Sequence, residues 1–349
     1  MFGALRKKYK NMRMWLSVVV HSRRCYKIPF RKRLWANLHC FTNDEYVVFR
    51  LDKNDYHDYI SEYERQKSRS INGDYRIAMD DKLLYEQVFS RHIRVPANYA
   101  YIQNKRIYPL GEYTVNEDSL LDFIKEKKKV MLKLNNSGGG NGIHVLSHED
   151  GCFFVDGKEY AAQDLFAYVV GAHDSILSEY IYQGEWGNSL FPKTVNTTRV
   201  VVAREKNATE YKVIGAVQRI GREASIPVDN ADAGGLIAEI DLETGILSNA
   251  ASRVNKDGTN MEFMDSHPDT GARITGKQVP RWNEIKQYLV DLAYQYPYIN
   301  FFAWDIVVLD DGLRALEVNA SSGVKMFQLH RGIRNGAFGD LYRSYGVIK

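Results

Sequence analysis

The sequence predicts an α+β fold, on three observations. Strand patterns recur as hairpins joined by tight turns such as Asp156-Gly157 and Asp310-Asp311-Gly312. Helical patterns fall singly among them, near residues 80–92, 117–128, 163–170 and 280–295. The strict strand–helix alternation of a doubly wound parallel sheet is missing. The 349 residues are 44% hydrophobic and 26% charged, close to ordinary globular usage. No apolar run reaches the roughly 18–20 residues of a membrane-spanning helix.

The first element is a basic segment. Residues 1–43 hold eleven Lys or Arg and no Asp or Glu, so a net charge of +4 hides about −7 over the remainder. Phe2, Leu5, Met12, Met14, Trp15 and Leu16 interleave with those cations, which suits an anionic membrane surface or a polyanion. Nothing here matches a nucleic-acid-binding motif, so nucleic acid is not an expected partner. The apolar stretch Trp15–Val20 is too short for a secretory signal. Cys25, Cys40 and Cys152 are too scattered for a disulfide framework and fit a reducing compartment. The expected location is cytoplasmic, with peripheral contact at the inner membrane face.

Residues 44–78 are polar and tyrosine-rich, with short helices expected around Asp55–Gln66. Asp80 is a candidate cap for a helix to His92, whose apolar face carries Leu83, Leu84, Val88 and Phe89; Pro96 ends it. Strands follow at Asn98–Gln103, Val130–Leu134, Ile143–Leu146 and Ser175–Ile181, with helices over Glu117–Lys128, capped by Asn116, and Gln163–Val170. Cys152–Val155 opens a hairpin at Asp156-Gly157. Val195–Ala203 and Lys212–Gln218 are β-branched strands. Leu236–Ile240 and Ile246–Ser248 flank a turn, and Pro280 opens a helix to about Gln295. The expected division is a basic N-terminal region over 1–78, a small subdomain over 79–183 and a larger one over 184–349.

Chemistry concentrates in the last hairpin, Phe301–Leu309 and Leu313–Asn319. Asp305 interrupts an apolar run, and a lone buried carboxylate is costly. With a three-residue turn, Leu309 faces Leu313, and Asp305 falls opposite Glu317, with Asn319 on the same face. Two facing carboxylates repel, and with the carboxamide they offer hard oxygen ligands to Mg2+, which usually also bridges phosphates. A one-residue slip would put Asp305 and Glu317 on opposite faces. The second feature is the loop Asn135–Gly142, containing Ser137, Gly138, Gly139, Gly140 and Gly142. It joins two strands and lacks a Gly-Lys-Ser/Thr ending, so it is no P-loop; a flap over phosphates fits it. Lys133 at the strand end points a cation toward the same region; Lys82, after Asp81 at a helix start, reads on its own as a surface residue.

In this order, the features resemble the ATP-grasp superfamily. Met79-Asp80-Asp81-Lys82 looks like its phosphate-contacting lysine segment, and Val130–Lys133 with the glycine loop like its second lysine and flap. Ser178-Glu179-Tyr180-Ile181 looks like the adenine-holding hinge, and Glu185 lies one residue short of the ribose-binding acid. Asp305 and Leu316-Glu317-Val318-Asn319-Ala320-Ser321-Ser322-Gly323 match the magnesium motif, whose Ser and Gly face the acceptor. At several points the sequence resembles D-alanine–D-alanine ligases. Phe191–Arg199, Asp229-Asn230, Gly234-Gly235, His267–Gly271 and Trp304-Asp305 give a narrower resemblance to sugar-transfer-associated ATP-grasp proteins of surface-polysaccharide loci. The large substrate domain of the ligases is shortened here. Phe302 and Ala303 stand where the ligases carry an acyl-phosphate arginine, and Arg199, or Arg219 and Arg222, is the candidate replacement.

The resemblance implies ATP and Mg2+ as cofactors and a carboxylate–amine ligase acting through an acyl phosphate. Asp305, Glu317 and Asn319 would hold the metal. Lys82, Lys133, Ser137, Gly138, Gly139, Gly140, Gly142, Glu179, Tyr180, Ile181 and Glu185 would hold the nucleotide. Arg199, Lys133, Ser321 and Ser322 would serve the reaction. The implied partners are a small carboxylate and an amine, one of them on a lipid-linked or nucleotide-linked sugar, and a homodimer is left open. A sugar kinase and a nucleotide-binding scaffold for a glycosyltransferase complex are the alternatives.

Overall fold

The structure, a computed structural model, describes residues 2–22, 25–136, 142–252 and 261–349. These residues form two seven-stranded antiparallel sheets. The first contains β1 (Asn98–Gln103), β2 (Arg106–Pro109), β3 (Lys129–Leu134), β4 (Ile143–Glu149), β5 (Cys152–Val155), β6 (Lys158–Tyr160) and β7 (Ser175–Glu179). Its order is β2-β1-β7-β3-β4-β5-β6. The second contains β8 (Thr198–Ala203), β9 (Lys212–Ile220), β10 (Leu236–Ile240), β11 (Leu247–Ser252), β12 (Glu262–Met264), β13 (Phe301–Leu309) and β14 (Gly312–Asn319), in the order β12-β11-β10-β9-β8-β13-β14. The last strand of the first sheet ends at Glu179, and the first strand of the second begins at Thr198.

The α+β expectation holds, with local corrections. Asp81, not Asp80, caps the helix Lys82–Phe89: its Oδ1 accepts from the main-chain N–H of Leu83 and Leu84, both at 3.0 Å. Asp80 instead ends a short preceding turn of helix, Ile77–Asp80. Asn116 Oδ1 does accept from the N–H groups of Asp118 and Ser119, but the helix itself runs Leu120–Lys127. The helix behind Pro280 spans Trp282–Tyr294.

The second sheet is covered on both faces, which explains its almost continuous burial. Alternate side chains Val200, Val202, Phe302, Trp304 and Ile306 pack with the helices Trp282–Tyr294 and Lys82–Phe89. Their neighbours Val201, Ala203, Phe301 and Ala303 pack with residues from 26–71 and with the C-terminal helix Ala337–Ser344. A parallel-sheet-like apolar pattern therefore arises in an antiparallel sheet. Polar anchors fix the N-terminal cover. Asn72 Oδ1 accepts from the N–H of Asn300 and Phe301, both at 3.0 Å, and its Nδ2 donates to Phe301 O at 2.7 Å. Gln328 makes a matched pair of bonds with the Ile60 main chain.

Candidate nucleotide and metal site

The decisive geometry starts from an irregularity in the β13–β14 hairpin. Leu309 pairs with Gly312, so the turn is two residues rather than three, and Ile306 pairs with Ala315. Continued unchanged, that register would place Asp305 opposite Leu316. A bulge absorbs Leu316, and Asp305 pairs with Glu317, and Ala303 with Asn319. The expected facing pair is therefore present, by a turn one residue shorter and a bulge one residue longer. Bulges commonly re-aim side chains beside functional sites.

Across β13 the row continues, because Asp305 pairs with Arg199 of β8. Arg199 grips Asp305 through Nε and through Nη2, the latter at 2.6 Å. Its Nη1 donates to Ser322 Oγ at 3.1 Å. Arg219, on β9, donates from Nη1 to Asp305 Oδ2 at 3.0 Å and pairs through Nη2 with Asp229 at 2.6 Å. Burial pushes the Asp305 carboxyl up, but the two guanidinium groups outweigh it and hold it at about 2. Glu317 moves the other way, raised by burial and then by the Asp305 charge. Asn319 Nδ2 donates to Glu317 Oε1 at 3.1 Å.

Asp305 is thus no bare metal ligand: three donor contacts occupy its oxygens, out of roughly four lone-pair positions on a carboxylate. Among the described residues there is no cluster of three or more His, Cys, Asp or Glu side chains able to hold a metal. The residues still fit Mg2+, which commonly uses one or two carboxylates and completes its shell with water and phosphate oxygens. Glu317, Asn319 and Asp305, whose carboxyl also meets that of Glu317, offer that set.

Two lysines approach this row, Lys82 from the start of the helix Lys82–Phe89 and Lys133 from β3 of the first sheet. Lys82 is led there by the cap at Asp81 and latched by Asn135, whose Oδ1 accepts from Lys82 N at 3.1 Å and whose main-chain O accepts from Lys82 Nζ at 3.0 Å. Asn135 Nδ2 also donates to Asp81 at 2.8 Å. Lys133, on β3, is brought down to about 8 by burial and then by the Lys82 charge, against the pull of Glu317. Gly142 closes the far end of the glycine loop with φ +67°, and a Cβ there would lie 2.6 Å from Leu134 Cδ1. Ser137, Gly138, Gly139 and Gly140 lie outside the described residues.

These groups line one cavity of about 560 Å³ between the sheets. Its lining combines apolar side chains, Met131, Ile143, Val145, Ile181 and Leu316, with the charged row and lysines, Lys82, Lys133, Arg199, Asp305, Glu317 and Asn319. Arg219, Asp229, Ser321, Lys325, Glu62 and Arg65 line it as well. Glu179 and Tyr180 also line it, although the Glu179 carboxylate pairs with Arg314 at 2.6 Å. Four expected residues among those described do not line the cavity: Gly142, Glu185, Ser322 and Arg222. Glu185 lies exposed at a helix start, its N–H donating to Asp310. Ser322 is buried behind Arg199 as its hydroxyl partner. Arg222 pairs with Asp269 instead. Glu62 and Arg65 escaped sequence reading because they sit in a polar stretch with no motif around them.

A model of the family described as sugar-transfer-associated ATP-grasp matches residues 61–338. The chain belongs to that family. Its two sheets are accordingly the two halves of an ATP-grasp fold, with the cavity between them. Among solved structures, the ATP-grasp chain is similar to D-alanyl-alanine synthetase A from Vibrio cholerae, at 10% identity over 78% of this chain and 66% of that one, with TM-score 0.45. It is also similar to D-alanine–D-alanine ligase from Bacillus anthracis, at 11% identity over 79% and 64%, with TM-score 0.37. An ADP complex of N5-carboxyaminoimidazole ribonucleotide synthetase gives 15% identity over 76% and 54%, with TM-score 0.40. This chain thus spans between 54% and 66% of the length of those proteins. No curated protein matches it.

Proposed function

We propose that this protein is an ATP- and Mg2+-dependent carboxylate–amine ligase that forms an amide through an acyl phosphate. Its products would carry an amino acid or other amine on a sugar or polysaccharide precursor. The observation that carries the reading is the charge arrangement in the cavity: Lys82 and Lys133 on one wall, and Glu317, Asp305 and Arg199 in one row on the other. Such a site is suited to a polyphosphate with a divalent cation, and the apolar part of the lining to a purine.

Mg2+ at Glu317, Asn319 and Asp305 would supply charge neutralisation between phosphate oxygens. The protein's own groups supply the rest. Lys82 and Lys133 stabilise negative charge on the transferring phosphoryl group. Arg199 and Arg219 line the cavity together with Ser321 and Lys325, where an acyl phosphate would form. The walls from both sheets exclude water from that intermediate. A sugar kinase would need a base at the acceptor. Of the acids lining the cavity beyond the charged row, Asp229 is committed to Arg219 and to the Thr197 N–H at 2.8 Å, Glu62 to Arg65, and Asp44 to the N–H groups of Cys25 and Tyr26, which supports the ligase reading.

The test is ADP release by the purified protein with ATP and Mg2+, against amino acids crossed with uronic acids and nucleotide sugars, with mass spectrometry of each positive. The ligase requires both a carboxylate and an amine, and a product mass equal to their sum less water. ADP release with a sugar alone, plus a phosphate mass increment, would make it a kinase; no turnover with any pair, alongside intact nucleotide binding, would favour the scaffold.

A further inference from the structure

The N-terminal segment folds as two helices, Phe2–Trp15 and Phe30–Leu38, tied together by a bond from Trp15 Nε1 to Asn37 O at 2.9 Å. The second helix is unusual for a surface helix. Phe30, Leu34 and Leu38 recur at a spacing of four, forming one stripe, and are 65%, 48% and 67% exposed. Arg31 and Lys32 beside them are exposed, and the Arg33 guanidinium lies 5.1 Å over the Phe30 ring. The first helix and the helical turn Leu16–Val20 behind it repeat the design: Tyr9, Met12 and Leu16 are exposed at a spacing of three and four, among exposed Arg6, Lys8, Lys10 and Arg13. Apolar stripes flanked by exposed cations, with no acid in residues 1–43 and with Lys32 alone of those named paired to an acid, Asp52 at 3.7 Å, are complementary to one surface chemistry: an apolar layer beneath negative charge. No helix among the described residues is long and apolar enough to cross a membrane.

We infer that these two helices seat the protein on an anionic lipid bilayer, lying in the headgroup plane with Phe30, Leu34, Leu38, Tyr9, Met12 and Leu16 inserted. The placement bears on the cavity, because Val18, Ser22 and Cys25, from the segment joining the helices, line it. Seating the helices therefore sets the cavity beside the headgroup layer, where a lipid-anchored substrate would present its polar end. The inference rests on the surface alone and stands or falls without the ligase reading.

The test is flotation of the full chain with phosphatidylcholine vesicles, with and without about one-third phosphatidylglycerol. Basic residues near an anionic surface act additively, so binding is expected to be at least ~tenfold stronger with phosphatidylglycerol and to weaken as salt shortens the Debye length. Serine at Phe30, Leu34 and Leu38 together should cut binding by about tenfold or more, since each buried methylene counts, without shifting the melting temperature. Should that variant misfold, charge reversal at the exposed Arg6, Lys8 and Lys10 reads the same interaction through its electrostatic half. Equal binding to both vesicles, or binding to neither, would overturn the inference. So would a dimer in light scattering that the serine variant converts to monomer, because the stripe would then be a self-association face.

Discussion

Replacing Asp305 with asparagine separates two descriptions of the charged row. If Asp305 is chiefly the shared anion of two buried arginines, the substitution leaves Arg199 and Arg219 poorly paired and destabilises the protein. If it is chiefly a metal ligand repelled by Glu317, removing its charge relieves the repulsion and stabilises the metal-free protein. The structure favours the first. A carboxyl held at about 2 instead of 3.8 corresponds to about 2 kcal/mol at ~1.4 kcal/mol per pH unit. Breaking one side of a buried pair costs about 3–5 kcal/mol. Arg219 keeps Asp229, and Arg199 keeps Ser322 and lies 3.8 Å from Glu317, so the cost falls at or just below the lower end of that range, about 2–3 kcal/mol. With an unfolding entropy of about 2.1 cal/mol/K per residue, the melting temperature should fall by about 3–4 °C. The assay is calorimetry with chelator and without nucleotide. The sign with pH is also fixed. The carboxyl is depressed in the fold, so its contribution is full above about pH 4 and disappears as pH falls towards 2. The gap between wild type and Asp305→Asn should close over that window. A melting temperature that rises or stays put at neutral pH would refute the ion-pair reasoning.

Two further outcomes follow from particular contacts. Lys133, lowered to about 8 by burial and then by Lys82, is charged at neutral pH and loses its proton above that value. ATP affinity, measured calorimetrically at constant ionic strength, should be flat below about pH 8 and weaken by up to tenfold per pH unit above it, with Lys133→Met removing the dependence. Asn72→Ala strips the side-chain partners from the N–H groups of Asn300 and Phe301 and from Phe301 O. The cost should be about 2–4 kcal/mol, seen as a lower urea midpoint with an unchanged slope.

Most of the site could be read from the sequence because its signals are local. Asp305 inside an apolar strand, Glu317 and Asn319 two apart, and a glycine run after a lysine each declare themselves within a few residues. The α+β class was similarly legible from hairpins. What escaped reading depends on three-dimensional choices. The facing of Asp305 and Glu317 was expected from a three-residue turn, but the chain uses two residues and then a bulge at Leu316. A sequence pattern of alternation cannot distinguish those routes, since both end in the same pairing. The choice of Asp81 over Asp80 as the cap turns on backbone angles: Asp81 is extended, at φ −96° and ψ 120°. Arg199 as the direct cross-strand partner of Asp305 required knowing that β8 lies beside β13, a neighbour about a hundred residues away in sequence.

The N-terminal region was the hardest part to read and has the largest consequence for the cavity. Its polar residues carry no motif, yet Thr42, Asp44, Glu62 and Arg65 line the cavity. The ordering principle is a buried acid. Glu45 Oε2 accepts from Thr42 N at 2.7 Å, and its Oε1 accepts from Glu62 N, while burial raises the carboxyl to about 7. Those bonds fix the start of the helix Glu62–Ser68, and Glu62 in turn pairs with Arg65. Arg65 reaches Ser321 Oγ at 3.5 Å, the residue placed by the magnesium-motif resemblance at the acceptor. Most of the cavity's side chains are held by strand register in the two sheets. Glu62 and Arg65 instead line it from a short helix whose start is bonded to Glu45 and whose Glu64 pairs with Arg334 at 2.9 Å. On the proposed ligase reading, substitutions at Glu62 or Arg65 should change acceptor preference in the ADP-release panel and leave ATP affinity, measured calorimetrically, unaltered.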